Sequence, residues 1–385
     1  MKKILFGIIM GSTILQVNCK KVTESMRVAT FNIWELSTEK LSSLDASGRG
    51  QNEQLTAAAT IIQKVRPDIL VINEIDHDYR YPDLAKNARL FRDGYLRQGD
   101  AAIDYPFVFA APCNTGILAH ADFNNDGVVA DSTQVRTRLF GEDCFGYGEY
   151  PGQYSMALLS KHPIITEDVR TFQLFLWKDL PGHHMPCDFY SDDEVAIFRL
   201  SSKSHWDVPI LIKGKTVHLL LCHPTPPVFD GAEDRNGRRN FDEIKFWVHY
   251  LDGDVALYDD AGRKDGFAKD EPFIIAGDLN AAPDAPASYD DRTAISQLLQ
   301  HPKIYDSVNF TIRRNASDSL PLLKKTETAQ FSGNRKTRID YVLPSIDLEV
   351  IDGGVFWPFE EDDPEGYALA EKASDHRLVW IDVKI

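Results

Sequence analysis

The sequence predicts an α/β fold of the sandwich or barrel type. Short apolar runs predict β-strands, amphipathic segments between them predict helices, and several strands end in polar residues. With 43% apolar and 26% charged residues, the 385-residue chain has an ordinary globular composition and enough length for a sizeable core. Length alone suggests two or three domains, although one large sandwich would use all of it.

The negative net charge of the chain argues against polyanions such as nucleic acid as partners. The formal net charge is −16, and the acidic excess is spread along the chain without a long run of one sign. Such a chain repels polyanions and lacks the electrostatic footprint of a strong nucleic-acid binder, although a locally basic cleft remains compatible with it.

Residues 1–19 are typical of an export signal. Two lysines precede an apolar run from Ile4 to Met10, which is too short and too soon followed by charge for a membrane span. Cys19 stands where a lipoprotein signal places its lipidated cysteine, although the residues before it depart from the usual small-residue pattern. We expect an exported protein, lipid-anchored at the cell envelope or secreted, with a tether over 20–25 and one domain over 26–385.

Four cysteines remain: Cys113, Cys144, Cys187 and Cys222. In an oxidising compartment they could form up to two disulfides, in three possible pairings. Cys113 and Cys144 lie in the same Gly-rich and aromatic-rich region, so they are the preferred pair. Cys222 lies in the apolar run HLLLC and is expected to be a buried thiol.

The predicted elements follow one another from end to end of the domain. Strands are predicted at 27–34, 68–76, 152–164, 194–200, 208–222 with a hairpin turn at 213–215, 273–276, 337–345 and 377–385. Helices are predicted at 54–65, around 241–250 and at 293–300, from apolar residues spaced at three and four positions.

The stretch PFIIAGDLNAAP, 272–283, carries the first candidate site residues. Residues i and i+2 of an extended chain face the same way, so Asp278 and Asn280 point together from the end of an apolar strand. Gly277 leaves room for a close approach of backbone or ligand. Taken alone, the stretch is better explained as a strand that ends in a polar turn, and only the rest of the chain favours a functional site.

Two earlier strands contain polar residues of the same kind. Asn32 interrupts the β-prone run RVATFNIW, where it is either a strand-end cap or a functional amide. Glu74 stands near the end of DILVINEID, and it is functional only if other carboxylates converge on it.

Two later strands and one loop add histidines and carboxylates. His223 follows the run HLLLC and precedes a proline-rich turn that ends the strand. Asp340 lies in an apolar strand, where an unpaired carboxylate is costly, so it requires a partner such as a histidine. Asp375 and His376 directly precede the final strand.

The segment ADFNNDGVVADST contains a candidate calcium loop. Asp122, Asn124 and Asp126 alternate and are followed by glycine, as in the first half of such a loop. Thr133 occupies the twelfth position, which is usually acidic, and Asp131 is the nearest carboxylate. An Asx-rich surface turn is the alternative interpretation.

A cluster of arginines precedes the helix predicted around 241–250. Arg235, Arg238 and Arg239 could clamp phosphate oxygens through their planar guanidinium groups. The same three side chains could pair with the acidic residues beside them, an interpretation that we favour slightly.

Seven segments together resemble the endonuclease/exonuclease/phosphatase family, the deoxyribonuclease I-like superfamily. They are TFNIW, LVINEID, YSMALLSKHPI, HLLLCHPTPP, IIAGDLNAAP, RIDYVLP and SDHRLVW, and they cover the chain from about residue 26 to its end. The resemblance implies a four-layer α/β sandwich, with two mixed sheets face to face and helices outside. It also implies a phosphoesterase that depends on a divalent metal.

The resemblance assigns a metal-binding role to three positions. Glu74 corresponds to the main metal ligand, Asn32 lies beside it and Asp375 lies near the metal. Hard oxygen ligands suit Mg²⁺ best, with Mn²⁺ or Ca²⁺ as alternatives, and the loop at 122–131 would add a structural Ca²⁺.

The remaining family positions receive catalytic roles. Asp278 resembles the residue that orients or deprotonates the attacking water, and Asn280 resembles a contact to phosphate or metal. Asp340 and His376 resemble the family's Asp-His pair. His223 matches a position that holds the phosphate.

The substrate is left open by this resemblance, because the family includes nucleases, sphingomyelinases and phosphatases. We expect an exported hydrolase of small or exposed phosphoesters, with long additions near 82–150, 183–210 and 226–270. A secreted non-specific nuclease is the alternative, although the acidic charge disfavours nucleic acid. A non-catalytic surface lipoprotein is a further alternative, and the membrane would then be contacted only through the lipid anchor.

Overall fold

The computed structural model describes residues 25–267, 270–286, 288–306 and 326–385. The export segment, Cys19 and all but the last residue of the tether lie outside the described residues. The expectations for them therefore remain predictions.

The β-strands contain most of the apolar runs that the sequence singles out. In chain order they are β1 (Ser25–Leu36), β2 (Ile69–Ile75), β3 (Phe107–Phe109), β4 (Ser155–Ser160), β5 (Arg170–Thr171), β6 (His205–Ile212), β7 (Lys215–Cys222), β8 (Phe273–Asp278), β9 (Ala329–Phe331), β10 (Arg335–Thr337), β11 (Asp340–Pro344), β12 (Val350–Val355) and β13 (Val379–Lys384).

These strands form two large mixed sheets and one small hairpin. The first sheet has the order β12-β13-β1-β2-β4-β3, and the second has the order β11-β8-β7-β6-β5. The neighbours β1 and β2 are parallel, as are β7 and β8, while the other pairs in both sheets are antiparallel. Strands β9 and β10 form the separate hairpin, which directly precedes β11 in the sequence.

Helices cover the outer faces of both sheets. In chain order they are α1 (Thr38–Leu41), α2 (Glu53–Val65), α3 (Lys86–Phe91), α4 (Arg138–Glu142), α5 (Asp192–Ile197), α6 (Arg235–Leu251), α7 (Ser296–Leu299) and α8 (Pro364–Ala373). The helices predicted at 54–65, 241–250 and 293–300 correspond to α2, α6 and α7. Helix α6 begins earlier than expected, because the arginine-rich segment before Phe241 is already helical.

The core has three parts, which define four layers. The inner faces of the two sheets pack together through aliphatic side chains such as Val28, Val71, Leu219 and Ile274. Helix α2 packs on the outside of the first sheet. Helix α6 packs on the outside of the second sheet through an aromatic-rich cluster. Burial of each large apolar side chain contributes about 1.5–3 kcal/mol. The predicted α/β sandwich is confirmed.

The segment predicted as a strand at 194–200 is instead helical over most of its length. Ser191 accepts a hydrogen bond from the backbone of Glu194, and the Glu194 side chain accepts one from the backbone of Ser191, which makes a capping box for α5. Three acidic residues in the first turn add favourable interactions with the helix dipole. The local cap therefore overrides the β-prone composition of EVAIFRL.

The preferred disulfide between Cys113 and Cys144 is wrong. All four cysteines of the described chain are free thiols, and Cys113 and Cys144 are both buried. The Cys144 thiol contacts the carbonyl oxygen of Phe140 at 3.1 Å, whereas the Cys113 thiol faces the carbonyl oxygen of Ala111. Cys222 is buried as expected, and the indole N–H of Trp247 donates to its sulfur.

Among the described residues, no helix combines the length and the apolar character needed to cross a bilayer.

A buried histidine joins strand β6 to helix α6. His205 Nε2 lies 2.7 Å from the carbonyl oxygen of Glu243 and must donate to it, so Nδ1 accepts from the hydroxyl of Ser201. The neutral ring satisfies both partners. Burial lowers the pKa of His205 from 6.5 to about 3.

This histidine is expected to make the protein less stable in acid. Because the unfolded chain binds a proton below pH 6.5 and the folded ring resists it, stability falls as pH decreases from about 6.5 toward about 3. The slope from one such group is at most about 1.4 kcal/mol per pH unit. In His205→Gln, the free energy of unfolding from urea titrations should vary less between pH 6.5 and 4 than in the wild type. His162→Gln, at a half-buried loop position, should keep the wild-type dependence, and an equal flattening in both variants would contradict the assignment.

Candidate active site

The candidate site lies where the two sheets end together. In the second sheet, Asp340 of β11 pairs directly with Asp278 of β8. In the first sheet, Asn32 of β1 pairs with Asn73 of β2. All four side chains are at most 1% exposed. The sheet ends therefore enclose a polar centre above an apolar core.

An irregularity in the first sheet aims Glu74 into this centre. The pairing of β1 with β2 shifts after Asn32 and Asn73, and Glu74 has a left-handed backbone with φ of 64°. Such a conformation costs a non-glycine residue on the order of 1–3 kcal/mol and re-aims its side chain. Two hydrogen bonds hold the result, because Oε1 accepts from Asn32 Nδ2 at 3.0 Å and Oε2 accepts from Glu35 N at 3.1 Å.

Asn32 connects the two sheets. Its Nδ2 donates to Glu74 of the first sheet and also to Asp278 Oδ2 of the second sheet, at 3.0 Å in each case. The amide is fully buried, and its Oδ1 has no hydrogen-bond partner within the described chain. A buried amide oxygen without a partner is costly, so this oxygen is available for a bound group.

The close approach predicted for Gly277 is present between β8 and β7. A Cβ atom at this position would lie 2.1 Å from the carbonyl oxygen of Cys222, and φ is 154°. Only glycine fits here, and the tight contact brings Asp278 beside His223 at the end of β7.

Asp278 is surrounded by groups that stabilise its charged form. Its Oδ1 accepts from the backbone N–H of Asn280 at 2.9 Å. His223 Nε2 lies 3.4 Å from Oδ2, and His376 Nε2 lies 3.8 Å from the same oxygen. Burial by itself would raise the pKa of Asp278, but His376 and His223 hold that pKa well below its usual range. Asp278 is therefore a carboxylate that accepts hydrogen bonds.

His376 is held between two carboxylates. Its Nδ1 lies 3.0 Å from Asp340 Oδ2, and its Nε2 faces Asp278. Burial disfavours the charged imidazolium, yet Asp340 and Asp278 together raise the pKa of His376 well above its ordinary value. Burial also raises the pKa of Asp340. The shared proton stays on the imidazole, because the ring faces two carboxylates and Asp340 faces one ring.

Thr328 fixes the orientation of Asp340. The Thr328 hydroxyl donates to Asp340 Oδ2 at 2.7 Å and accepts from the backbone N–H of Asp340 at 3.0 Å. The neighbouring residue Ala329 forms a β-bridge with His376. The segment of Thr328 and Ala329 therefore aligns both Asp340 and His376.

Asn280 and His223 complete the wall formed by the second sheet. Asn280 has a left-handed backbone with φ of 50°, which Asn tolerates better than most residues, and its Nδ2 donates to the Pro224 carbonyl at 3.1 Å. Burial and the nearby Lys203 lower the pKa of His223, although Asp278 opposes this effect. Its Nδ1 is buried and has no hydrogen-bond partner within the described residues.

The donor set suits a hard divalent cation. The carboxylate of Glu74 and the unpartnered amide oxygen of Asn32 are adjacent, and both are oxygen donors of the type that Mg²⁺ prefers. Burial raises the pKa of Asp375; His376 opposes that rise and the nearby Glu74 adds to it. A cation among these carboxylates would relieve their repulsion, so the residues present fit the implied metal.

A second cluster of metal-ligand-type side chains is held together by a proton and not by a metal. Among the described residues, Asp278, Asp340 and His376 form a cluster of ligand-type atoms within 4.8 Å of one another. In this cluster the imidazole already links the two carboxylates, and the proton it carries takes the place of a metal.

The side-chain oxygens of the candidate calcium loop accept hydrogen bonds within local turns. Asp122 accepts from the backbone N–H groups of Asp126 and Gly127, and Asp126 accepts from that of Val128. Asp131 caps the short turn Ser132–Gln134. Calcium binding by Asp122, Asn124, Asp126 and Asp131 stays a prediction.

The three arginines already have partners in the protein. Arg239 is buried and donates to the carbonyls of Leu200 and Phe145. Arg235 pairs with Glu233, and Arg238 donates to the Glu233 carbonyl at 2.9 Å. The favoured interpretation, pairing with neighbouring acids, describes Arg235 alone, whereas Arg238 and Arg239 bind mainly carbonyl oxygens.

Sequence reasoning missed three residues that shape the site: Asn73, Thr328 and Lys203. Asn73 Oδ1 accepts from the Asp278 backbone and from Thr30. A polar residue inside the apolar run of β2 was a signal for it, whereas Thr328 lies in a loop without any distinguishing pattern.

A cavity of about 330 Å³ opens beside Asp375 at the edge of the site. Trp34 forms one wall and is 52% exposed, which is unusual for so large an apolar side chain. The other lining residues are polar or charged, among them Gln54, Gln330 and Lys372. Of the predicted site residues, Asp375 is the one that lines this cavity.

The fold and this site define an α/β sandwich with a polar centre between its sheets. The family model of the Endonuclease/Exonuclease/phosphatase family matches residues 29–376, and the chain belongs to this family. Its members are hydrolases that act on phosphoesters and are generally dependent on divalent metals.

Solved structures that are similar to this chain share little sequence with it. A family protein from Leptotrichia buccalis is 14% identical, with a TM-score of 0.51 over 94% of this chain and 100% of the other. A mannosyl-6-phosphatase from Bacteroides thetaiotaomicron is 14% identical, with a TM-score of 0.46 over 94% and 100%. A sphingomyelinase C from Streptomyces griseocarneus is 14% identical, with a TM-score of 0.45 over 94% and 99%. No curated protein matches the sequence.

The proposed metal ligands can be tested without a substrate. Glu74→Gln keeps the size of the side chain but removes its charge, so the affinity for Mn²⁺ should fall at least about tenfold. Paramagnetic resonance or calorimetric titration of Mn²⁺ into the purified protein measures this change. Glu167→Gln, at an exposed turn after β4, should bind Mn²⁺ as the wild type does. Unchanged affinity in Glu74→Gln would remove Glu74 from the metal site.

Proposed function

We propose that the protein is an exported, divalent-metal-dependent phosphoesterase that hydrolyses small or exposed phosphomonoesters and phosphodiesters. The observation that carries the proposal is the arrangement of Asp278, His376 and Asp340 next to the oxygen donors of Asn32 and Glu74. It combines a water-orienting carboxylate, a buried cationic imidazole and a metal-type donor set in one centre.

Phosphoester hydrolysis requires an oriented water and compensation of negative charge on the phosphoryl oxygens. His376 and His223 hold Asp278 in its charged form, so its carboxylate can accept a hydrogen bond from a water and orient it for in-line attack. The imidazolium of His376 can donate to a phosphoryl oxygen as charge develops there. A bound divalent cation would polarise the phosphoryl group through its charge.

Two further groups can hold the phosphoryl group during attack. Asn280 and His223 lie on either side of Asp278 on the second sheet, and His223 has a buried ring nitrogen without a partner. Because Nε2 faces the Asp278 carboxylate and donates there, this nitrogen is an acceptor, which a protonated group of the substrate would satisfy. Asp340 and Thr328 act through His376, whose ring they orient.

The cavity beside Asp375 supports a small substrate. Its volume of about 330 Å³ suits a leaving group of the size of a sugar or a short alcohol. The net charge of −16 disfavours a substrate that is a long polyanion. These two features favour small phosphoesters over nucleic acid.

Substitution of Asp278 or His376 tests the chemistry. Asp278→Ala and His376→Ala should each lower kcat by about 10³-fold or more, because a positioned base or a cationic donor supplies about that much. The assay uses a chromogenic phosphomonoester and a chromogenic phosphodiester with Mg²⁺ or Mn²⁺. Both variants should keep the wild-type circular dichroism spectrum, and His162→Ala serves as the control. Near-normal turnover in either variant would refute the assignment.

A substrate panel separates the alternatives. It contains the two chromogenic esters, plasmid DNA, sphingomyelin and inositol phosphates, each with Mg²⁺, Mn²⁺ or Ca²⁺. Hydrolysis of the small esters supports the proposal. Nicking of DNA alone would favour a secreted nuclease, and inactivity with every metal would favour a non-catalytic surface protein.

The proposal that the protein is exported rests on residues 1–19 alone. Cells that express the full chain should incorporate labelled fatty acid into the protein and should retain it in the membrane fraction, because lipidation of Cys19 supplies an anchor. Cys19→Ala should lose both the label and the membrane association. A labelled Cys19→Ala variant would show that the lipid, if any, is attached elsewhere.

A further inference from the structure

A buried lysine lies at the same end of the second sheet as His223 and Asp278. Strand β6 pairs antiparallel with β7, with His205 opposite Cys222, and β7 is parallel to β8, with Leu221 opposite Ala276. The segment before His205 therefore meets the segments that follow β7 and β8. Lys203 is two residues before His205 and so reaches the active-site end of the sheet.

The backbone around Lys203 is held from two sides. Its carbonyl oxygen accepts from the backbone N–H of Asn114 at 2.8 Å. The buried Glu243 carboxylate accepts from Ser202 N at 2.7 Å and from Thr225 N at 2.6 Å. Glu243 therefore joins the Lys203 segment to the turn after His223, so that the lysine has a defined position beside the site.

The side chain of Lys203 has an unusual environment for an amine. The residue is 6% exposed, and within the described part of the chain its Nζ makes no hydrogen bond or ion pair that would satisfy it. Burial lowers the pKa of Lys203, whereas Glu243, Glu74 and Asp278 act against this change. The hydroxyl of the preceding residue, Ser202, donates to the His223 carbonyl, which places the Lys203 segment next to the end of β7. An amine in this position is costly unless an anion satisfies it.

Other polar atoms near Lys203 also lack partners. The Thr225 hydroxyl and His223 Nδ1 are buried and have no hydrogen-bond partner among the described residues. Both belong to the segment that Glu243 joins to Lys203. The Lys203 amine and the Thr225 hydroxyl are thus two donors without partners on segments that Glu243 joins, and an anion would satisfy both.

We propose that Lys203 binds a non-bridging oxygen of the substrate phosphoryl group and makes the enzyme prefer phosphomonoesters to phosphodiesters. This inference rests on the phosphoesterase function proposed above. A phosphomonoester carries three non-bridging oxygens and a charge of about −1.5 to −2 at neutral pH, whereas a diester carries two such oxygens and one charge. An additional cation on the protein therefore stabilises the monoester more.

The test compares Lys203→Met with the wild type. Methionine matches the length of lysine and suits a buried position, so the fold should be retained. The variant should lose about 100-fold in kcat/KM for a chromogenic phosphomonoester and less than about tenfold for the matching diester. Its affinity for inorganic phosphate, measured by calorimetry in the presence of Mg²⁺, should fall at least about tenfold. Affinity for Mn²⁺ should not fall, because the substitution removes a positive charge and no metal ligand.

Two further variants complete the design. Lys384→Met removes an exposed lysine that pairs with Glu349, and it should behave as the wild type in each assay. Lys203→Gln, which is polar but uncharged, should show the same loss of selectivity and provides the test if the methionine variant unfolds.

The outcomes separate this inference from the function on which it rests. Equal losses on both esters would overturn the monoester preference, and unchanged phosphate affinity would overturn the binding role of Lys203. A wild-type protein that cleaves neither ester would refute the phosphoesterase proposal, and weaker phosphate binding in Lys203→Met would then still identify Lys203 as an anion ligand.

Discussion

The side-chain amide of Asn32 is the interaction on which the geometry of the site depends. Its two N–H groups bind a carboxylate from each sheet, Glu74 on one side and Asp278 on the other. A buried hydrogen bond to a charged group contributes about 1.5–3 kcal/mol, and both bonds require one relative position of the two sheets. Sheet packing in the apolar core and the arrangement of the polar centre are therefore coupled through this single residue.

The polar centre is stable because each buried charge faces a group of opposite charge or a hydrogen-bond donor. Asp278 faces two imidazoles, His376 faces two carboxylates, and Thr328 satisfies Asp340. Removing one partner from such a network leaves an uncompensated buried charge, which commonly costs 3–5 kcal/mol. Several buried atoms of this region lack partners, among them Asn32 Oδ1, Asn73 Nδ2 and His223 Nδ1, and Asn32 Oδ1 is an oxygen of the type that the implied metal prefers.

Charged residues outside the centre show that composition alone does not identify ligands. Arg239 resembles a phosphate clamp in the sequence but binds backbone carbonyls that hold two loops together. Lys203 has no distinguishing sequence pattern, yet Glu243 joins its segment to the turn after His223. The difference lies in which groups surround each cation, and this depends on contacts between segments far apart in the chain.

Local sequence patterns identified the longer strands except β12, three of the helices and the polar residues at the strand ends, because apolar runs and helical spacing are local properties. The short strands β3, β5, β9 and β10 were missed, and the strand expected at 194–200 is largely helix α5. Asp278, Asn280, Glu74 and Asn32 were recognisable in this way. The tertiary structure decided which of these residues meet, how the β1–β2 irregularity aims Glu74, and that Cys113 and Cys144 remain separate thiols. Those outcomes depend on sheet register and on packing between distant segments, and local sequence patterns specify neither.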